Sequence, residues 1–357
     1  MATDHNSKSR LTRDLSISLL LYTLPVLAIY LYFKLSNGVV SESHISLPSF
    51  LEFTKPAFEN IRTWGLTVFM LVLGIIEFGA GLYDDQWTGE ERKIDIVSFL
   101  APKLILPPII AFFSLTVLPN LIPGLENTLS WVPFWGGFFL IAVADDLTQY
   151  WYHRLHHQVP FLWRFHRTHH SAPYMGMAML SRQNFIYTVF FSQIYLTATL
   201  TFLGLGLPAL FVLVIKSIIT LTAHSSIAWD KPFYKYKVLH PAAWVLERLI
   251  STPATHHAHH ADTSGDGVGH FKGNFGNMFF IWDVIFGTGL ITRQFPKSYG
   301  MKSYKQEEWY AQFLWPIFKS KKEGSALAEG VLSVPLTQKA NVVSQNPSYL
   351  EQVQSQS

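Results

Sequence analysis

The chain has 357 residues, 49% hydrophobic and only 14% charged, with a formal net charge of +3. That is too apolar and too poor in charge for an ordinary soluble domain of this size, and no run of Lys or Arg suggests a nucleic-acid surface. Cysteine is absent, which excludes disulfide scaffolds, zinc ribbons and iron–sulfur clusters and removes thiolate as a metal ligand.

Residues 1–14 are polar. A bilayer core takes roughly 20 mostly apolar residues per helix. Residues 15–33 reach that length and are followed by no A-x-A cleavage pattern, so a retained span is expected rather than a signal peptide. Residues 64–83 form a second span. Residues 98–118 form a third, with a kink expected at Pro107-Pro108. Residues 131–152 start apolar and end polar, with Asp145, Asp146 and Gln149 near the exit. Residues 185–203 and 208–223 are a second apolar pair, separated only by Gly204 to Leu207, and predict an antiparallel hairpin that carries Lys216. Lys8, Arg10, Arg13, Arg92, Lys93, Arg154, Arg164 and Arg167 fall on one side of these spans, and residues 119–130 have no Lys or Arg. The positive-inside bias then puts both termini and the histidine strings described next on the cytoplasmic face, with Lys55 and Arg62 as exceptions. Four regions follow: a polar N-terminus (1–14), an N-terminal transmembrane region (15–130), a histidine-box region (131–320) and a polar tail expected to be disordered (321–357).

Most of the 15 histidines lie in three strings, HRLHH at 153–157, HRTHH at 166–170 and HHAHH at 256–260. Residues three and four apart share a helix face, which pairs His153 with His157, His166 with His169 and His170, and His256 with His259 and His260. Each string reads as one helical turn that presents two or three imidazoles inward, and facing helices carrying such pairs build metal sites. An all-nitrogen set suits zinc, copper, iron or nickel and excludes calcium and magnesium. So many ligands exceed the needs of one ion, and two ions sharing the set is the economical solution. A flexible metal-sensing loop is the rival. The strings are not tandem, however, and Trp151, Leu155, Phe161, Trp163 and Phe165 recur beside them at helical spacing, as in packed structure.

The ordered motifs DDLTQYWYHRLHH at 145–157, LWRFHRTHHS at 162–171, His224 in TAHSSI, TPATHHAHH at 252–260 and GNFGNMFFIWDVIFGT at 273–288 resemble the sterol desaturase/fatty acid hydroxylase superfamily of integral-membrane di-iron enzymes. The likeness covers about residues 144–288. It implies an all-α integral membrane protein, with four to six transmembrane or membrane-embedded helices and a cytosolic histidine-rich helical cap. It also implies metal ligation by His153, His157, His166, His169, His170, His224, His256, His259 and His260. His156 and His240 are candidate additional ligands, His257 points off the ligand face, and His270 is a bystander. Asp146 stands where the family has an acidic residue. It is expected to accept an imidazole N–H and fix that ring's tautomer. Arg182 matches a family arginine, and Trp282, Asp283, Phe286, Gly287 and Thr288 match its closing signature. The run PYMGMAML at 173–180 departs from the family's polar pattern.

The implied activity is hydroxylation or desaturation of a membrane lipid with dioxygen and two iron ions. Zinc is expected to be able to occupy the site in isolated protein, because affinity order favours it over ferrous iron. The sequence carries no HPGG-type haem motif and no Rossmann G-x-G-x-x-G, so electrons are expected from a separate partner, a cytochrome b5 or a ferredoxin with its reductase. The alternative is a membrane metal transporter or metal-binding protein, which would place ligands along several spans rather than at one face.

Overall fold

The computed structural model describes residues 65–328, apart from positions 82, 84, 85, 88 and 303. The expected N-terminal polar segment, the span at 15–33 and residues 329–357 lie outside the described residues. Among the described residues the fold is all-helical with no strand. Two isolated antiparallel bridges, Ile250 with Phe279 and Ala261 with Tyr299, tie its loops.

Helix α1 (Leu66–Gly79) is apolar but for Thr67 and Glu77, and Glu77 is fully buried. The Glu77 carboxylate accepts from the Tyr83 hydroxyl, from Met177 N at 2.7 Å, from Ser225 Oγ at 2.7 Å and from Ser226 N at 2.9 Å, so α1 is fastened to the loops around the site. Helix α2 (Gly89–Phe112) opens with Glu90 and Glu91, the sign its N-terminal dipole favours. It runs through Pro107-Pro108, where the sequence predicts a kink. The departure from α geometry comes later, as a π turn at Phe113–Val117 leading into α3 (Leu118–Leu121). Large apolar side chains such as Leu104, Phe112 and Leu115 point outward from this unit, as lipid-facing residues do.

Helix α4 (Phe134–Gln158) is the central post. After it come α5 (Pro160–His166), a 3₁₀ turn at His169–Ser171, α6 (Phe185–Val189), α7 (Ser192–Leu200), a π turn at Thr201–Leu205 and α8 (Gly206–His224). The chain reverses at Gly204, whose φ of 108° is a conformation glycine adopts without strain. Thr197 and Lys216 both reach Asp145, although a continuous helix would separate them by about 28 Å. The expected hairpin is therefore present, and it returns His224 to the end of the molecule where α6 began. Gly137 lets α4 approach α8 closely: a Cβ there would lie 3.0 Å from Pro208 Cγ. Ile141, Ala142, Leu205, Ala209, Val212 and Met278 fill this contact. By length and composition, Gly89–Leu121 and Phe185–His224 are apolar enough to cross a membrane, and α1 is a shorter apolar helix.

The remaining helices, α9 (Lys231–Lys235), α10 (His240–Leu249), α11 (Pro253–His259), α12 (Ile281–Ile285) and α13 (Trp309–Leu314), are short. The packed structure extends past the boundary expected at residue 321. Leu327 is fully buried with Phe165, Ala311 and Trp315, and Ser325 Oγ bonds Glu307 at 2.5 Å.

Candidate metal centre

Each histidine string is delivered by a local signal. His153 and His157 occupy the last turns of α4. Pro160 restarts the helix as α5, which ends on His166, and His169 and His170 sit in the following 3₁₀ turn. Helix α11 starts at a Thr252/Thr255 capping box with Pro253 in the first turn, where proline's missing N–H costs nothing. Asp230 Oδ2 accepts from Ala254 N at 2.7 Å and holds that helix start in place. The second string is thus a helix end plus a 3₁₀ turn, not the single helical turn its spacing suggested.

The structure brings nine predicted imidazoles into two groups. His153, His157, His166, His170 and His259 form one, His169, His224, His256 and His260 the other, and within each group the ligand atoms lie within 4.8 Å of one another. Every i, i+4 pair (153/157, 166/170, 256/260) stays in one group. The i+3 members, His169 and His259, cross to the other. The sequence-level assumption that each string serves as one face is corrected accordingly: at 3.6 residues per turn the i+3 and i+4 positions lie on opposite flanks of position i, and for His169 a 3₁₀ turn intervenes as well.

Backbone carbonyls set the tautomers. His153 Nδ1 donates to Phe275 O at 2.7 Å and His259 Nδ1 to Gly273 O at 2.7 Å. His169 Nδ1 donates to Arg182 O at 3.1 Å and His224 Nδ1 to Thr220 O at 2.8 Å. A carbonyl only accepts, so each of these neutral rings carries its proton on Nδ1 and a lone pair on Nε2. Yet Nε2 of His153 faces Nε2 of His259 at 3.0 Å, and Nε2 of His169 faces Nε2 of His224 at 3.4 Å. Lone pair meets lone pair once in each group. A proton between them would make an imidazolium, which the dry surroundings oppose: burial, and then the neighbouring rings, hold His166, His170, His256 and His260 well below the ordinary histidine value. The buried nitrogens His157 Nε2, His166 Nδ1 and Nε2, His170 Nε2, His256 Nδ1 and His260 Nε2 have no protein partner. Neutral, convergent imidazoles, each with one nitrogen lone pair to give, are the set a transition-metal ion accepts, so the residues present fit one ion per group.

The supports of these carbonyls lie in the closing motif. Asp283 accepts from Phe275 N at 2.8 Å, Gly276 N at 2.6 Å and Thr288 Oγ1 at 2.6 Å, which fixes the loop whose carbonyls hold His153 and His259. Asp146 does not accept an imidazole N–H, contrary to expectation. It takes Met278 N at 3.3 Å, Phe279 N at 2.9 Å and Trp282 Nε1 at 3.0 Å, so it positions the same loop one step removed. Arg182 is fully buried against Glu91 and Asp95, and its own carbonyl holds His169. Among the candidate additional ligands, His156 turns its Nδ1–H to Tyr152 O at 2.7 Å and His240 donates to Tyr234 O at 3.1 Å; neither joins a group. His257 bonds Tyr299 Oη and Ser225 O, and His270 donates to Thr288 O, so both stay outside as expected.

A cavity of about 1140 Å³ runs between α2, α4, α7 and α8 and ends on His153, His166, His169 and His224. Its walls are mainly apolar, with Phe99, Phe191, Ile194 and Leu213 among them. Both groups therefore open onto one lipid-sized space.

No curated protein and no solved structure matches the chain. Residues 138–288 match the family model described as fatty acid hydroxylase, a span that includes all nine grouped histidines, Asp146 and Asp283. Over those residues the chain carries a fatty acid hydroxylase domain, the domain of the sterol desaturase/fatty acid hydroxylase superfamily.

Proposed function

We propose that this protein is an integral-membrane oxygenase that hydroxylates or desaturates a lipid with dioxygen, using two metal ions held by the nine imidazoles, iron in the working enzyme. The observation that carries this is the pair of facing Nε2 lone pairs, one in each histidine group, at the end of a lipid-sized cavity. His153, His157, His166, His170 and His259 would hold one ion, and His169, His224, His256 and His260 the other. When bound, the metal pair supplies the activation of dioxygen and the oxidising power to take hydrogen from an unactivated C–H bond. The protein's own part is positioning. Backbone carbonyls keep four rings in the ligating tautomer, and Asp146 and Asp283 hold the loop that provides two of those carbonyls. The apolar walls seat a hydrocarbon chain and exclude water from the face that His153, His166, His169 and His224 turn to the cavity.

The charge bias of the loops favours a multi-pass topology with this face toward the cytoplasm, where a separate electron donor, a cytochrome b5 or a ferredoxin with its reductase, meets it. Transport fits less well. Among the described residues the metal-competent groups gather at one end of the cavity only, with no ligand series along it. Purified protein reconstituted with ferrous iron, a reductase system and lipid should consume dioxygen only when an acceptable lipid is present. Metal flux into vesicles with no lipid-dependent oxygen uptake would refute the oxygenase assignment.

A further inference from the structure

The cavity wall changes character away from the histidines. On α4, Asp145, Gln149 and His153 follow at i, i+4 and i+8 and all line the cavity; on α8, Lys216 and His224 are eight residues apart and do the same. At 1.5 Å per residue, Asp145 and Lys216 sit about 12 Å along the helices from the histidine level and Gln149 about 6 Å. Helix α7 brings Gln193 and Thr197 alongside: Thr197 Oγ1 donates to Asp145 Oδ1 at 2.9 Å, and Lys216 Nζ to Asp145 Oδ2. Gln149 and Gln193 are each 4% exposed, yet Gln149 Oε1 and both amide atoms of Gln193 meet no protein partner. Buried amide groups are ordinarily paired, so two bare ones on the wall of one cavity mark a place made to be completed by something that enters it.

We propose that Gln149 and Gln193 form a subsite for a neutral hydrogen-bonding group of the bound lipid, a hydroxyl, held about one to two helical turns from the histidine face. The orientation of that lipid rests on the oxygenase assignment above; the subsite itself rests on the amides. A hydroxyl both donates and accepts, which matches the free oxygen and nitrogen of the two side chains, whereas an ester or ketone only accepts. An anion is selected against by charge. Lys216 is paired with Asp145 and lies 4.0 Å from Asp146 Oδ1, so the three buried groups sum to −1. The other charged residues on the wall, Lys103 and Glu126, are exposed and of opposite sign, and the Lys103 ammonium lies over the Phe99 ring at 4.5 Å. A carboxylate would have to give up its water beside a net negative cluster.

The test uses full-length protein in phosphatidylcholine nanodiscs, offered octadecanol, octadecanoate or octadecane at alkaline pH. Retained probe is measured by mass spectrometry against empty nanodiscs, and metal content is determined on the same samples. Octadecanol should be retained roughly tenfold over both other probes, the effect of one or two well-made hydrogen bonds. Gln193→Leu should bring octadecanol down to the level of octadecane and leave octadecane and the metal content unchanged. The subsite is overturned if wild-type protein shows no preference for the alcohol over the alkane, or retains octadecanoate as well as octadecanol. It is also overturned if the Gln149→Leu/Gln193→Leu double variant keeps the preference. The wild-type comparison needs no variant to fold. A preference for octadecanol in protein that binds no metal would support the subsite while removing the oxygenase assignment.

Discussion

Stripping the metals should cost this protein a large part of its thermal stability. The six ring nitrogens without a protein partner, on His157, His166, His170, His256 and His260, are buried. An ion takes one nitrogen per ring, so metal satisfies only one of the two on His166; at about 1–3 kcal/mol for each unsatisfied buried polar atom, five put the set at ~5–15 kcal/mol before the facing Nε2 pairs are counted. The binding side gives a comparable figure, since an ion present at about 1,000 times its Kd stabilises by about 4 kcal/mol, and two ions by about 8. At about 2.1 cal/mol/K per residue each kcal/mol is worth about 1.3 °C at this chain length, so the unfolding midpoint should fall by about 10 °C. Intrinsic tryptophan fluorescence follows the transition without a label. Trp163 is a local reporter, with its ring centroid 5.0 Å from that of His157 and 5.5 Å from that of His170. Chelation should lower the midpoint and ferrous iron should restore it. A midpoint that chelator leaves in place, in protein first shown to hold metal, would refute the reasoning.

Three substitutions probe the supports. His169→Ala should abolish lipid-dependent oxygen uptake with normal recovery in the membrane fraction; full activity would contradict its place in the second group. Asp146→Asn leaves at most one acceptor oxygen for three donors on the 278–282 segment. It should lower the midpoint by a few degrees, about 1–3 kcal/mol, with metal retained, whereas loss of metal and unchanged stability would mean that Asp146 acts on an imidazole after all. Arg182→Ala leaves Glu91 and Asp95 buried without their cation, a loss of about 3–5 kcal/mol, and should sharply reduce folded yield in fluorescence size-exclusion chromatography; a normal yield would show that the network is dispensable.

The histidine spacing made the grouped residues legible, because imidazoles repeated at i and i+4 beside apolar segments are costly to bury together unless they share an ion. The turn at Gly204 was legible too: two apolar stretches with a four-residue gap cannot both be long unless the chain reverses. What could not be read was the backbone. Residue identity does not record that the carbonyls of Gly273, Phe275, Arg182 and Thr220 orient four rings, since any residue supplies a carbonyl. Asp146 shares a helix face with His153, which made it a plausible ring partner. Seven residues along a helix is about 10 Å, however, and puts the carboxylate out of reach of that ring. His169 misled for a related reason, since the spacing rule presumes a continuous helix, whereas this one ends at His166 and gives way to a 3₁₀ turn. The tail boundary at 321 missed Leu327 because one apolar residue in a polar run has no periodicity to reveal its burial.

The central claim is that distant segments of this chain jointly chelate two ions. Elemental analysis of folded, monodisperse protein after anaerobic reconstitution with ferrous iron tests it directly, with His240→Ala as a control that should match wild type, because His240 lies outside both groups. The account predicts two tightly held ions per chain in both proteins. One ion or none per chain after full reconstitution would contradict it.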